Sequence, residues 1–322
     1  MRLWPGRVLG VWLAVALPAV AGAASCCGGG GGGASVLPRG VLGLLDASLD
    51  LEKYDGYWDV GRVHRPDPPG SRLFQGRFNL TGAWRLGGPW QVAAAVPFVW
   101  NSNVYSGVSS KTRGMGDSSV SLWHETWTER SAWRVAAADD LLPSLTIGPT
   151  LTIPTGLSPY DDVTSSFDVT GRGFYRLDVT AMLDKSYRAW SASISGAYGI
   201  HFGRPVNRFY GNYVEPYQKR LGNRALVSGS IGYRAFIGSG GDSLALTGAF
   251  SWLWEDQGTI AGSPDTATGM EKSAVAGTLT WAGTDEDWSA RLSWSHAIQA
   301  NGWGRNFPTT DIITVGVRYV LR

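Results

Sequence analysis

Few side chains in this sequence are of the kinds that carry out reactions. There are four histidines and two cysteines. His64 and His201 are too scattered to read as a zinc site. His124 and His296 raise the question of nucleophilic catalysis, which needs a serine and a histidine on the same surface. The serines beside them, Ser121 and Ser295, fall in the opposite phase of the local alternation, and no His-x-Ser-Asn run occurs. Asp161, Asp162 and Asp168 share one stretch whose carboxylates could meet a divalent cation, although the same acids read more readily as solvated loop residues. Cys26 and Cys27 border the Gly28 to Gly33 tract, so neither belongs to a disulfide framework or a folded metal site. No catalytic, cofactor-binding or metal site is expected, and the chain is not expected to be an enzyme.

A larger set of charged residues stands inside segments of regular alternation. The acids are Asp46, Asp50, Glu52 and Asp178, and the bases are Arg77, Arg85, Arg176, Arg224, Arg234, Arg291 and Arg318. The run SLALTGAFSWLW (243–254) shows the pattern most plainly. Leu244, Leu246, Phe250, Trp252 and Trp254 alternate with small or hydroxylic residues, as a two-faced β-strand requires. Similar runs recur from Leu45 to the final TVGVRYVLR. Segments of about ten alternating residues separated by turn residues are the signature of a transmembrane β-barrel. Roughly twelve strands can be counted. The expected fold is therefore all-β, a transmembrane antiparallel up-and-down barrel.

The connections alternate in length. Short ones lie at 86–89, 184–188, 237–242 and 283–286, and long ones at 56–71, 101–116, 155–172, 203–219, 256–270 and 301–308. Short turns at the periplasmic end and long loops at the outer end suit such a barrel. The connection 128–143 is long where parity asks for a short one.

A soluble sandwich or barrel would also alternate. Two features favour the membrane. The face opposite the apolar one carries the charges above, which a dry core would not tolerate but a watery lumen would. Tryptophans cluster at strand ends, as interfacial girdles do: Trp84, Trp90, Trp190, Trp281 and Trp288 at one end, Trp100, Trp252 and Trp254 at the other. Charged residues make up 17% of the chain, less than in a typical soluble domain.

Residues 1–25 read as an export signal, with Arg2 and Arg7 before an apolar run and Ala21-Gly22-Ala23 as the cleavage site. Ala23-Ala24-Ser25-Cys26 also resembles a lipobox, which would put a lipid on Cys26. Residues 26–39 read as a flexible leader and 40–322 as the barrel. Losing residues 1–25 takes two arginines and no acid from the 28 basic and 26 acidic residues, so the mature chain is neutral. Nothing points to nucleic acid. The expected location is the outer membrane of a Gram-negative bacterium. The expected partners are its lipid and lipopolysaccharide, the outer-membrane assembly machinery and small-molecule solutes.

Three short motifs carry a resemblance: GMGDSSVSL (114–122) opening a strand, TIPTG (152–156) ending the next, and GRGFYRLDVTAML (171–183) after the following loop. Their order resembles the bacterial outer-membrane family named for the MetA pathway of phenol degradation, grouped with transporters. The resemblance spans roughly residues 40–322. It implies a barrel passing small, often hydrophobic or aromatic compounds, and it brings no functional residue with it. The terminal Arg322 departs from the Phe or Trp that ends many barrels. Within the motifs, Gly114 and Gly116 read as loop-to-strand residues, and Asp117 as bonding local backbone. The expected function is a channel or transporter. The alternatives are a structural or adhesive barrel without an open pore, and a membrane-embedded lipid hydrolase.

Overall fold

The computed structural model describes residues 36–38, 40–58, 63–129, 138–236, 242–266, 268–302 and 308–322. The expected export signal, the cysteine pair and the glycine tract lie outside the described residues. In chain order the strands are β1 (Gly43–Trp58), β2 (His64–Arg65), β3 (Arg72–Gly87), β4 (Trp90–Tyr105), β5 (Val108–Met115), β6 (Ser118–Trp127), β7 (Ser144–Ile153), β8 (Arg176–Tyr187), β9 (Trp190–His201), β10 (Arg204–Phe209), β11 (Asn212–Arg220), β12 (Arg224–Phe236), β13 (Ser243–Glu255), β14 (Gly258–Ile260), β15 (Ser263–Asp265), β16 (Met270–Ala282), β17 (Trp288–Gly302) and β18 (Pro308–Leu321).

Twelve of these form the wall, each antiparallel to the next, in the order β1-β3-β4-β6-β7-β8-β9-β12-β13-β16-β17-β18. The last strand pairs back onto the first from Gly43↔Leu321 to Tyr54↔Thr310. Closure removes both free edges, so every wall strand has two hydrogen-bonded neighbours. The fold is the closed twelve-strand β-barrel that the alternation predicts.

Side-chain exposure follows the period of two. Outward positions such as Leu45, Phe78, Phe98, Ile194, Leu246 and Val315 are exposed, while their neighbours are covered or half-covered from inside. Leu246 is 64% exposed, and its cross-strand partners Tyr233 and Leu279 are exposed as well. An apolar belt of this extent suits hydrocarbon and not water. Trp84, Trp90, Trp190, Trp281 and Trp288 are exposed at the short-turn end. Trp100, Trp252 and Trp254 are half-buried on the outward face at the other end. The ring of Trp100 lies over its register partner Gly76, and that of Trp84 over Gly43, where a side chain would collide. From the level of Trp100 to Trp84, β3 runs eight residue steps. At a tilt of about 40° that is roughly 20 Å, close to the apolar band of a membrane barrel.

Three of the long connections carry strands of their own. Residues 101–116 form a hairpin that extends β4 through β5, turning at Ser106–Gly107. Residues 203–219 form the hairpin β10–β11, turning at Tyr210–Gly211, and 256–270 contain β14–β15, turning at Ala261–Gly262. Both central residues have positive φ in all three turns, the backbone of a type I′ hairpin. β10, β11, β14 and β15 make a second small sheet above the barrel. Residues 130–137, most of the connection 128–143, lie outside the described residues; Ala138–Leu141 forms a 3-10 turn.

Candidate functional site in the barrel lumen

The eleven charged residues singled out above alternate with the exposed apolar positions of the wall strands and so stand on the face opposite the belt. They do not form one ring. Most of them join into a network on the side built by β17, β18, β1 and β3. Arg291 grips both oxygens of Asp46 at 2.5 and 2.8 Å, and Arg318 reaches the same carboxylate at 3.0 Å. Asp50 accepts from Asn79 and from Thr314, both at 2.8 Å. Arg77 stands between Asp50 at 3.7 Å and the buried Glu52 at 3.6 Å. Each acid here faces a positive or hydrogen-donating partner, as buried charge requires.

Arg85 and Arg234 belong to the short-turn end. Arg234 pairs with Glu286 at 2.7 Å, with both side chains about half exposed. The terminal Arg322 joins the same turn, 3.3 Å from Asp287. Arg85 pairs with Glu125 at 2.9 Å and donates to the carbonyls of Pro38 and Val41. These contacts hold the chain segment before β1 inside the barrel. Leu37 is 2% exposed, packs in a cluster with Leu44, Ala83, Ala93, Trp123 and Val320, and gives its N–H to Gln91 at 2.7 Å. Leu37 and Pro38, which lie within the expected leader, thus make contacts with the inside of the wall. Gln91, Glu125 and Trp123 carry no mark in the sequence that separates them from other inward residues.

The opposite end is covered from within by the β7–β8 connection. Asn101 and Asn103, inward on β4, donate to the carbonyls of Val169 and Phe167, and Val169 is wholly buried. The base of this inward loop is tied by Asp117, which accepts the backbone N–H of Gly156 at 3.2 Å and of Arg172 at 2.7 Å. Asp117 was expected to bond local backbone; its partners are 39 and 55 residues away. The GMGD, PTG and GRG segments thus meet at one point. There the backbones of Gly156 and Gly171 approach so closely that a Cβ on Gly156 would lie 2.7 Å from the Gly171 Cα. Two glycines are needed because no side chain fits.

Asp161, Asp162 and Asp168 are engaged separately: Asp161 by Ser158 at 2.6 Å, Asp162 by Arg208 at 3.6 Å, and Asp168 by Thr112 and Thr164. Among the described residues no group of three His, Cys, Asp or Glu could hold a metal ion. His124 packs edge-on against Trp90 on the outward face, and His296 bonds Asp311 at 2.9 Å.

The wall from β9 to β16, together with the middle of β17, has a different lining. Its inward side chains in mid-strand are small: Ser193, Ser195, Ser228, Ser230, Thr247, Ala249, Thr278 and Ser293. All are partly exposed, whereas Ser48, Asp50, Arg77, Asn79 and Thr81 on β1 and β3 are buried. One side of the interior is filled by charge pairs and the inward segments, while the other presents hydroxyls and methyls to open space. Eight strands leave room only for side chains and sixteen leave a wide aqueous channel. Twelve strands with one small-residue wall fall between.

No family model matches the chain, and no curated protein matches it. Among solved structures it is similar to the COG4313 outer membrane channel from Pseudomonas putida F1, with 15% identity, a TM-score of 0.64, and coverage of 90% of this chain and 98% of that one. The beta domain of the Bordetella autotransporter Brka has 12% identity, a TM-score of 0.48, and coverage of 87% and 100%. The NanC porin has 13% identity, a TM-score of 0.41, and coverage of 84% and 98%. The first of these likenesses shows the fold: a closed outer-membrane-type barrel matched over nearly its whole length.

Proposed function

We propose that this chain is an outer-membrane channel that passes small solutes along the small-residue side of its lumen. The observation that carries the reading is the asymmetry of the interior. A barrel with no passage would be filled on all sides, yet the inward hydroxyls of β9, β12, β13 and β16 are partly exposed along their length. The apolar belt and its tryptophan girdles support placement in the membrane, with the short turns on the periplasmic side. The motif resemblance and the Pseudomonas putida channel of similar fold point the same way, and the resemblance extends the solute class to hydrophobic and aromatic compounds.

A structural barrel without a pore is the second reading. It is favoured by the segment around Leu37 and by the inward loop, which narrow the two ends. Swelling of liposomes carrying the purified protein separates the two. Solutes of sugar size or smaller should enter at a rate that depends on their size. Liposomes that remain impermeable to the smallest solutes would leave the structural reading.

A further inference from the structure

Just beneath the inward loop, one row of inward positions crosses four strands: Asp178 on β8, Gly199 on β9, Arg224 on β12 and Glu255 on β13. One step toward the outer end, Arg176 stands opposite His201. The two acids of this cluster are already taken. Glu255 is held by a two-pronged pair with Arg172 from the loop, with both distances 2.6 Å. Asp178 is held by Arg176 at 2.8 and 3.0 Å. It leans over Gly199, where any side chain would strike the carboxylate.

Arg224 is left over. It is partly exposed to the lumen, and its guanidinium makes no hydrogen bond or contact ion pair with any described residue, although Glu255 and Asp178 stand near enough to attract it. Beside it, His201 is 4% exposed. Its Nδ1 lies 2.7 Å from the carbonyl oxygen of Gly222. A carbonyl only accepts, so Nδ1 carries the proton and Nε2 presents a lone pair. That Nε2 is buried with no partner. The cluster thus holds a guanidinium without an acceptor and an imidazole acceptor without a donor, on adjacent strands of the same inner face. Both are groups that proteins rarely leave unmatched.

We infer that Arg224 and His201 form a binding subsite for a small monocarboxylate bearing a hydroxyl next to its carboxylate. The planar fork of Arg224 matches the two carboxylate oxygens, and the hydroxyl supplies the donor that His201 Nε2 lacks. Three arginines against two acids leave one positive charge, which balances a monoanion better than the doubly charged form of phosphate. The inference rests on the channel reading, since the ligand reaches the subsite through the lumen, and it adds a solute class to that reading.

The test is isothermal titration of the purified full-length protein in detergent with lactate, acetate and inorganic phosphate. Lactate should bind saturably and more tightly than acetate, and phosphate should bind more weakly than lactate. Arg224→Gln should weaken lactate binding at least tenfold, and Arg224→Lys by less, because the charge stays while the fork is lost. His201→Phe should remove the advantage of lactate over acetate and leave acetate unchanged. Lys111→Gln, on the exposed β4–β5 hairpin, should change nothing. Heat-modifiable migration on gels reports whether each variant has folded. No saturable lactate binding to the wild type, or equal lactate affinity in a folded Arg224→Gln, would overturn the subsite. Equal affinity for lactate and acetate would overturn the role of His201. Because titration needs no ion flow, a conducting protein that binds no lactate sinks the subsite alone. A lactate-binding protein that never conducts sinks the channel alone.

Discussion

Arg291 and Asp46 are 245 residues apart in sequence, yet the guanidinium of one grips both carboxylate oxygens of the other across the intervening strand β18. The pair spans the seam where the barrel closes, β18 against β1. Closure is the most non-local event in this fold, and the network places its strongest side-chain contact beside it. Asp46→Asn should therefore destabilise the barrel by about 3 kcal/mol, near the lower end for a broken buried pair, because Arg318 is over a third exposed and water shares its charge. Reversible urea unfolding in lipid vesicles measures this. A double change, Asp46→Leu with Arg291→Met, should recover most of the loss; no recovery would mean that the pair is not the source.

The two faces of β13 give a second expectation. Leu246→Arg puts a charge on the outward belt and should cost about 2–4 kcal/mol near the middle of the band, whereas the adjacent inward Thr247→Arg should cost far less. The same unfolding assay compares them. Equal costs, or the reverse order, would mean that the belt does not face lipid.

A third expectation concerns the knot at Asp117. A methyl on Gly171 would collide with the Asp117 carboxylate, so Gly171→Ala should release the inward loop while leaving the wall strands paired. Added protease should then nick residues 157–170 at least tenfold faster in intact proteoliposomes, with the barrel still migrating as folded. Cleavage at the wild-type rate would show that the loop is held elsewhere.

The segment at the short-turn mouth can be tested through Ala93, which is buried beside Leu37. In a background with Cys26 and Cys27 replaced by serine, Ala93→Cys should react slowly with a water-soluble maleimide. Adding Leu37→Asp places an unpaired charge in that apolar cluster and should speed the reaction at least tenfold. An unchanged rate would mean that the segment does not cover this site.

The sequence was informative wherever the period of two was at work. Strand count, the direction of each wall residue and the positions of the girdle tryptophans all follow from alternation, because a single slip would turn every side chain to the wrong face. The partners of the inward charges were not legible. Asp46 with Arg291 and Glu255 with Arg172 join residues brought together only by barrel closure or loop folding, and no local pattern records a contact across 245 or 83 residues. The hairpins inside the long connections were not legible, because they alternate only briefly. Ser106-Gly107, Tyr210-Gly211 and Ala261-Gly262 were the available signal.

The pairing also limits what the lumen charge can do. Arg176, Arg234 and Arg318 each have an acidic partner, and Glu125 and Glu255 add inward acids that alternation alone did not single out. Any anion preference should be weak, concentrated at Arg224, and lost as salt rises past about 0.1 M. Replacing Arg224 with Gln should move the reversal potential toward cations more than replacing Arg318 does. The opposite ranking would show that the paired arginines still set the field.

The central claim is a water-filled passage along the small-residue wall, and single-channel recording of the purified protein in planar bilayers tests it most directly. The wild type should give discrete conductance steps. Thr247→Trp, a bulky side chain placed inward in mid-strand, should lower the step size at least twofold, while the outward Leu246→Trp should leave it unchanged. A wild type that never conducts, or a step size indifferent to Thr247→Trp, would contradict the account.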